Sequence, residues 1–547
     1  MTSPWWKQAV FYQVYPRSFM DADGDGVGDL PGLISRLDHL ADLGVDAVWL
    51  SPHYRSGGVD NGYDVAHYRA VDPQFGTMAD FEALAAGLAD RGIRLIVDLV
   101  VNHTSDQHPW FAESRKGRES PFRDYYIWRD GKDGGPPNNW PSIFGGSAWT
   151  WDEGSGQYYL HLFAPGQPDL NWDNPAVRGE VHEIMRFWLD RGVAGFRMDV
   201  IAFVSKPPDL PDLRVEQLQT PQRAYANGPR RDEYLRELHD LVLAGRDAVA
   251  IGEAFGVSAE EAAALVDPER RELDMVFTFD LVDLPREDRA DDWTLPQLKS
   301  VLSRLDRAGG ARGWNSFYLE NHDQPRAVSH FGDPDPRWAP ASAKTLATLL
   351  MSQRATPVVY QGQEIGMTNY PFGSIEALQD VAARARWVRD VESGRRPAEA
   401  VLNSLRWRSR DNARTPMQWT SGPNAGFTTG RPWLAANPNA AAINVEAQSR
   451  DPNSVLAHYR RLIALRRAHR GLVHGAYRDL DPNHERLIAY LRDERYLVLL
   501  NFSREPVDFS APRGVTPAQL LIASDGEPEN TGGAVRLQGW QSAVYRF

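Results

Sequence analysis

The chain contains no cysteine. That excludes disulfides, Cys-ligated zinc and a thiol nucleophile, without fixing a compartment. It has no apolar run near the roughly 20 residues that a membrane helix needs. Its start, Met1-Thr2-Ser3-Pro4-Trp5-Trp6-Lys7-Gln8, shows no basic stretch followed by an apolar core, so no secretory leader is visible. Positive charge is in deficit too. With 60 Lys and Arg against 73 Asp and Glu, the formal charge is −13, which argues against a nucleic-acid surface or an anionic-membrane patch. No glycine-rich dinucleotide fingerprint occurs, and no organic cofactor is expected. A cytoplasmic enzyme acting on a small molecule, as monomer or homodimer, is the expectation that remains.

At 547 residues the chain is too long for one simple core, so two or three domains are expected. Eight apolar runs read as strands: Ala9–Pro16, Val45–Pro52, Arg94–Asn102, Gly195–Val200, Ala248–Ala254, Met275–Asp280, Asn315–Asp323 and Ala355–Gln361. Near-continuous hydrophobicity, as in Leu95-Ile96-Val97-Asp98-Leu99-Val100-Val101, suits parallel strands buried on both faces. Helical patterns at Leu30–Leu43, Asp80–Arg91, Ala176–Arg191 and Ser342–Arg354 precede several of them, and Gly44, Gly92 and Gly192 suit helix C-caps. The alternation predicts a (β/α)8 TIM barrel, residues 1–103 and 173–474, with reactive groups at the strand C-terminal ends. Residues 104–172 are too long for an ordinary loop and read as an inserted subdomain over the site. A second insert spans about 370–440. From 475 to 547, short alternating runs predict a C-terminal antiparallel β-sandwich.

Three strand ends carry carboxylates. Asp199 closes Gly195-Phe196-Arg197-Met198-Asp199, Glu253 closes Ile251-Gly252-Glu253, and Asp323 closes Glu320-Asn321-His322-Asp323. Cleaving a sugar bond needs one group to attack and one to protonate, and a third can grip the ring. Arg197, two residues before Asp199, projects to the same strand face and would keep that carboxylate ionised for attack. A rim ion pair is the alternative reading, and the motif alone leaves both open. Glu253, if buried or beside another carboxylate, would hold a proton near neutrality as a general acid. His322 and Asp323 can donate to and accept from ring hydroxyls, or simply form a hydrogen-bonded rim. Asn102 and His103 read the same way, whereas Asp98 lies within a buried strand and reads as structural. Asp60 and Tyr63 offer a further acceptor and a stacking face.

Taken in order, Asp98-Leu99-Val100-Val101-Asn102-His103, Gly195–Asp199, Gly252-Glu253 and Asn321-His322-Asp323 resemble the signature regions of the α-amylase family, glycoside hydrolase family 13, over essentially the whole chain. Gln167-Pro168-Asp169-Leu170-Asn171-Trp172, Gly362–Asn369 and Arg414-Thr415-Pro416-Met417-Gln418-Trp419 resemble its oligo-1,6-glucosidases and sucrose isomerases. The resemblance implies a retaining α-glucosidase with Asp199 as nucleophile, Glu253 as acid/base and Asp323 as transition-state stabiliser. It implies a glucose pocket lined by Asp60, Tyr63, His103, Arg197, His322 and Arg414, with Phe144, Phe163 and Gln167 reaching in from the insert. Val200 resembles the residue found after the nucleophile in α-1,6-specific members, which favours isomaltose-type substrates, with maltose or sucrose also accepted and transglucosylation at high sugar.

Two features qualify this expectation. The loop Asp21-Ala22-Asp23-Gly24-Asp25-Gly26-Val27-Gly28-Asp29 has alternate carboxylates that suit a hard cation, although Gly32 stands where an EF-hand needs a bidentate Glu. The resemblance implies a structural Ca²⁺, or alternatively Mg²⁺, held by Asp21, Asp23, Asp25, Asp29 and the Val27 carbonyl; a solvated acidic loop without metal is the alternative. Sucrose isomerases carry an Arg-Leu-Asp-Arg-Asp stretch shortly after the sixth strand. Here that segment reads Leu281-Val282-Asp283-Leu284-Pro285-Arg286-Glu287-Asp288, so hydrolysis is expected over isomerisation. A non-catalytic amylase-like binding protein is the remote third reading, disfavoured because all three carboxylates are kept.

Overall fold

The computed structural model describes residues 3–226, 228–284, 293–308, 313–515, 518–530 and 533–547. All eight expected strands are present: β1 (Phe11–Val14), β2 (Ala47–Leu50), β3 (Arg94–Val100), β4 (Val193–Asp199), β5 (Val249–Glu253), β6 (Met275–Phe277), β7 (Ser316–Phe317) and β8 (Thr356–Tyr360). They are parallel strands separated by helices, the alternation of a (β/α)8 barrel. Every residue of β1, β2 and β8 is buried, as expected where both faces are covered.

The chain packs as two compact units. The first comprises Met1–Val48, Asp280–Leu378 and Leu402–Phe547. In it β1 pairs with β8, Phe11 facing Val358, and β8 pairs with β7. The C-terminal part of this unit forms a five-stranded and a three-stranded antiparallel sheet between Tyr477 and Arg546. The two sheets share a core that includes Leu487, Ala489, Leu491, Leu497, Leu499, Phe509 and Leu537. Alternate residues of one strand, Leu487, Ala489 and Leu491, enter it together because side chains on a strand point to one face every second position.

The second unit comprises Trp49–Phe279 and Gln379–Val401. Here β3 pairs with β4, β4 with β5, and β5 with β6. The 104–172 segment holds the helix Pro109–Ser114 and a three-stranded sheet made from Trp128–Arg129, Gln157–Leu160 and Trp149–Asp152.

Two local departures have physical causes. The helix expected over Leu30–Leu43 is two helices, Leu30–Ile34 and Leu37–Leu43. The Ser35 hydroxyl donates back to the Gly32 carbonyl, a bond that competes with helix continuation, and Arg36 leaves helical geometry. The strand expected over Asn315–Asp323 is only Ser316–Phe317. Past it, the buried carboxylate of Glu320 accepts from Arg326 and from the Ala327 N–H, so the chain folds back on itself before Asp323. Among the described residues, no helix is long and apolar enough to cross a membrane.

Candidate active site

In the second unit, Asp199 is the last residue of β4 and Glu253 the last of β5. Both point at one cation. Arg197 Nη1 donates to Asp199 Oδ1 at 2.5 Å and to Asp98 Oδ1 at 2.8 Å, while its Nη2 lies 2.7 Å from Glu253 Oε1. Arg197 is 1% exposed, Asp199 7% and Glu253 6%, so these charges meet largely out of water. Desolvation would lower the guanidinium, but Asp98, Glu253, Tyr63 and Asp199 around it push it well above its ordinary value. The Trp49 and Tyr63 rings flank it, their centroids 5.1 and 5.8 Å from its central carbon. Asp98 also accepts from Trp49 Nε1 at 2.8 Å and Tyr63 Oη at 3.2 Å, and burial pushes its carboxyl up to about 6 against the pull of Arg197. It is wholly buried, as its place inside the strand led one to expect.

Beside this group, the same unit brings together Asp60, Tyr63, His103 and Gln167. His103 Nε2 donates to the Tyr63 carbonyl at 2.9 Å; Gln167 Nε2 donates to that carbonyl at 3.1 Å and to Asp60 Oδ2 at 3.4 Å. Burial pushes the His103 imidazole down, favouring its neutral form. Phe163 packs 5.2 Å from His103 and 5.6 Å from Phe144, continuing through Phe203 and Phe255 to Phe279. Val200 is 5% exposed and packs in the apolar cluster with Phe163 and Phe203.

Sequence reading missed several contributors, among them Lys206, Phe255 and Phe279. Lys206, in the loop after β4, donates to Asn102 Oδ1 at 2.8 Å and lies 2.6 Å from Asp169 Oδ2. Asp169 Oδ1 in turn accepts the Leu162 N–H at 2.8 Å, so one buried lysine joins three loops. Phe255 and Phe279 complete the aromatic run. Phe255 stands two residues beyond Glu253, and that nearness is the sequence signal by which it could have been found.

In the first unit, Asp323 lies among three basic groups. Arg414 Nη2 donates to its Oδ1 at 2.6 Å, Arg410 Nη1 to the same oxygen at 3.3 Å, and His322 Nε2 is 3.2 Å from Oδ2. Burial alone would raise this carboxyl, but His322, Arg410 and Arg414 outweigh it and hold it well below the usual carboxylate range. The His322 ring is fixed by Gln13 Nε2 at 2.8 Å from Nδ1 and by Tyr15 stacked 5.9 Å away, and Arg414 Nε donates to the His322 carbonyl at 2.9 Å.

The acidic loop belongs to the first unit as well. Carboxylate oxygens of Asp21, Asp23 and Asp29 lie within 4.8 Å of one another. Asp21 accepts from the Gly24 and Gly26 N–H groups at 2.7 and 2.8 Å, and Asp29 from Gly32 and Ala22 at 2.6 and 3.0 Å. Asp25 Oδ1 accepts the Val27 N–H at 2.7 Å.

Residues 13–475 match the family described as Alpha amylase, catalytic domain. The chain belongs to the α-amylase family. It is 48% identical to an oligo-1,6-glucosidase of Parageobacillus thermoglucosidasius, over all of both chains. Trehalulose synthase from Pseudomonas mesoacidophila superposes with a TM-score of 0.97 at 49% identity, covering 100% of both chains. A variant of isomaltulose synthase from Erwinia rhapontici does so at 0.97 and 48%, over 100% of this chain and 99% of the other. The chain is therefore a glycoside hydrolase of this family, with its (β/α)8 barrel and C-terminal β-sheets.

Proposed function

We propose that the chain is a retaining, exo-acting α-glucosidase releasing glucose from the non-reducing end of short α-glucosides, with α-1,6 links favoured. One observation carries the mechanism: a single buried guanidinium, Arg197, joins Asp199 and Glu253. Retention needs the two carboxyl groups about 5–5.5 Å apart, rather than the roughly 6.5–9.5 Å of inverting enzymes, and a shared guanidinium favours the short spacing. Asp199 attacks the anomeric carbon and forms a glycosyl ester as the glycosidic C–O bond breaks; the leaving oxygen takes the proton of Glu253. Glu253 then deprotonates a water that attacks the ester, regenerating Asp199, while a sugar hydroxyl in place of water gives transglucosylation. Asp323, kept anionic by its basic neighbours, binds ring hydroxyls and stabilises the positive charge that develops on the ring. Asp60, Tyr63, His103, Gln167 and Arg414 position the glucose. The near-half identity to an oligo-1,6-glucosidase and the Val200 side chain support the linkage.

Sucrose isomerisation is the second reading, favoured by the TM-score of 0.97 to trehalulose synthase. The absence of the Arg-Leu-Asp-Arg-Asp stretch weighs against it; Pro285–Asp288 of the corresponding segment lie outside the described residues. Incubation with isomaltose, maltose, trehalose and sucrose, followed by product chromatography, tests both. Glucose from isomaltose is the expected main product, and dominant isomaltulose or trehalulose from sucrose would overturn the hydrolase reading. Asp199→Asn should abolish turnover with the fold intact.

The acidic loop fits a hard cation, because three convergent carboxylates repel one another unless a positive charge sits among them. Asp21, Asp23 and Asp29 would hold Ca²⁺ or Mg²⁺, with Asp25 and the Val27 carbonyl as further ligands, and the ion would rigidify the loop. A melting temperature that is unmoved by Ca²⁺, Mg²⁺ or chelator would count against it.

A further inference from the structure

A cavity of about 640 Å³ opens in the first unit, within the range of roughly 300–1,000 Å³ typical of small-ligand sites. Trp293, Phe331, Trp407, Phe502 and Trp540 line it, joined by Thr294, Ser329, His330 and Glu485. Neither His322, Asp323 nor Arg414 is among its walls. Trp293 and Phe331 pack with ring centroids 5.8 Å apart, and Phe502 and Trp540 with theirs 5.3 Å apart. Tryptophans that fill core, such as Trp140, Trp172 and Trp188, are less than 2% exposed. Trp293, Trp407 and Phe502 are only half buried, so they turn apolar surface toward the cavity.

We propose that this cavity is a second, non-catalytic binding site for a neutral α-glucoside of two or three sugar units. Flat aromatic faces match the C–H faces of a pyranose ring, and polar groups at their edges match its hydroxyls. The Ser329 Oγ accepts the Asn369 N–H at 3.0 Å and keeps its own O–H to donate, while Glu485 offers an exposed acceptor. That carboxylate, on a chain of net charge −13, disfavours phosphorylated sugars and other anions. The cavity also exceeds what a small quaternary ammonium fills, although aromatic rings with a carboxylate suit that chemistry too. No group placed in the cleavage machinery lines it, so a sugar seated there is held and not cut.

The identity of the sugar rests on the glucosidase reading; the site itself does not. Calorimetric titration of the full-length Asp199→Asn protein with maltotriose and with isomaltotriose tests it. Two classes of site are expected, and adding Trp293→Ala should weaken the second about tenfold, as truncation of a buried aromatic anchor does. Glu485→Ala, a change at the exposed rim that leaves packing intact, should weaken it as well. Trp293→Ala alone should leave kcat/KM for isomaltose unchanged. A single class of site indifferent to both changes, or choline binding there in place of sugar, would overturn the proposal. Failure of the glucosidase reading looks different: the site blocked by catalytic-pocket changes such as Asp60→Ala would be missing, and the Trp293-dependent site would persist.

Discussion

The backbone N–H of Val200 donates to Glu253 Oε2 at 2.9 Å. The residue after the proposed attacking carboxylate thus holds the proton donor in place. Val200 does this from the left-handed region, at φ 35° and ψ 38°, where a β-branched residue is uncommon and strained. With Arg197 on its other oxygen, Glu253 is gripped from two sides of the same strand end.

Glu253→Gln cannot supply a proton, and it keeps only one of the two grips, because its amide nitrogen cannot accept from Arg197 or from the Val200 N–H. Hydrolysis of isomaltose should fall by about 10²–10⁴-fold. A 4-nitrophenyl α-glucoside, whose leaving group needs no proton, should lose much less in its first step. Equal losses on the two substrates in stopped-flow assays would remove the acid role.

Arg197→Lys keeps the charge and loses the fork. A lysine cannot reach Asp98, Asp199 and Glu253 together in this geometry. Leaving buried carboxylates under-compensated costs about 3–5 kcal/mol, so the melting temperature should drop along with kcat. An unchanged melting temperature would mean that the cluster contributes only to chemistry.

Lys206→Met tests a positioning role, since the lysine meets Asn102 and Asp169, and Asn102 Nδ2 lies 3.2 Å from His103 Nδ1. KM for isomaltose should rise more than kcat falls, and Lys206→Arg should restore part of the loss. A fall in kcat with KM unchanged would argue that the lysine acts elsewhere.

Glu320 gives a pH dependence of stability. Burial pushes its carboxyl up to about 7, against the opposing charge of Arg326. Between its unfolded value near 4.5 and about 7, the folded state holds a proton that the unfolded state has released, so this contribution to stability is complete at low pH and is lost as pH rises to about 7. The melting temperature of the wild type, minus that of Glu320→Gln, should therefore decline from pH 4.5 to 7 and level off above it. A flat difference would show that Glu320 is ionised throughout.

The barrel was legible because its strands are nearly unbroken apolar runs, and Asp199 and Glu253 fall on the last residues of two of them. Asp323 was legible only as a motif. Its strand stops at Phe317, and a buried Glu320–Arg326 contact, which no periodicity encodes, sets the path of the chain beyond. Lys206 was missed for a related reason: seven residues past Asp199 it sits in an irregular loop, and its partners Asn102 and Asp169 are distant in sequence. The single apolar period across Leu30–Leu43 concealed a break made by one hydroxyl.

The acidic loop near the N-terminus depends on chain that is synthesised much later. Asp21 accepts from the Thr428 hydroxyl, 407 positions later, and its own N–H donates to the Phe427 carbonyl. At ribosomal rates of about 5–20 residues per second, Asp21 waits roughly twenty seconds to over a minute for that partner to emerge. One of the first turns to be translated is among the last to be finished, and a nascent chain released before residue 428 leaves it open.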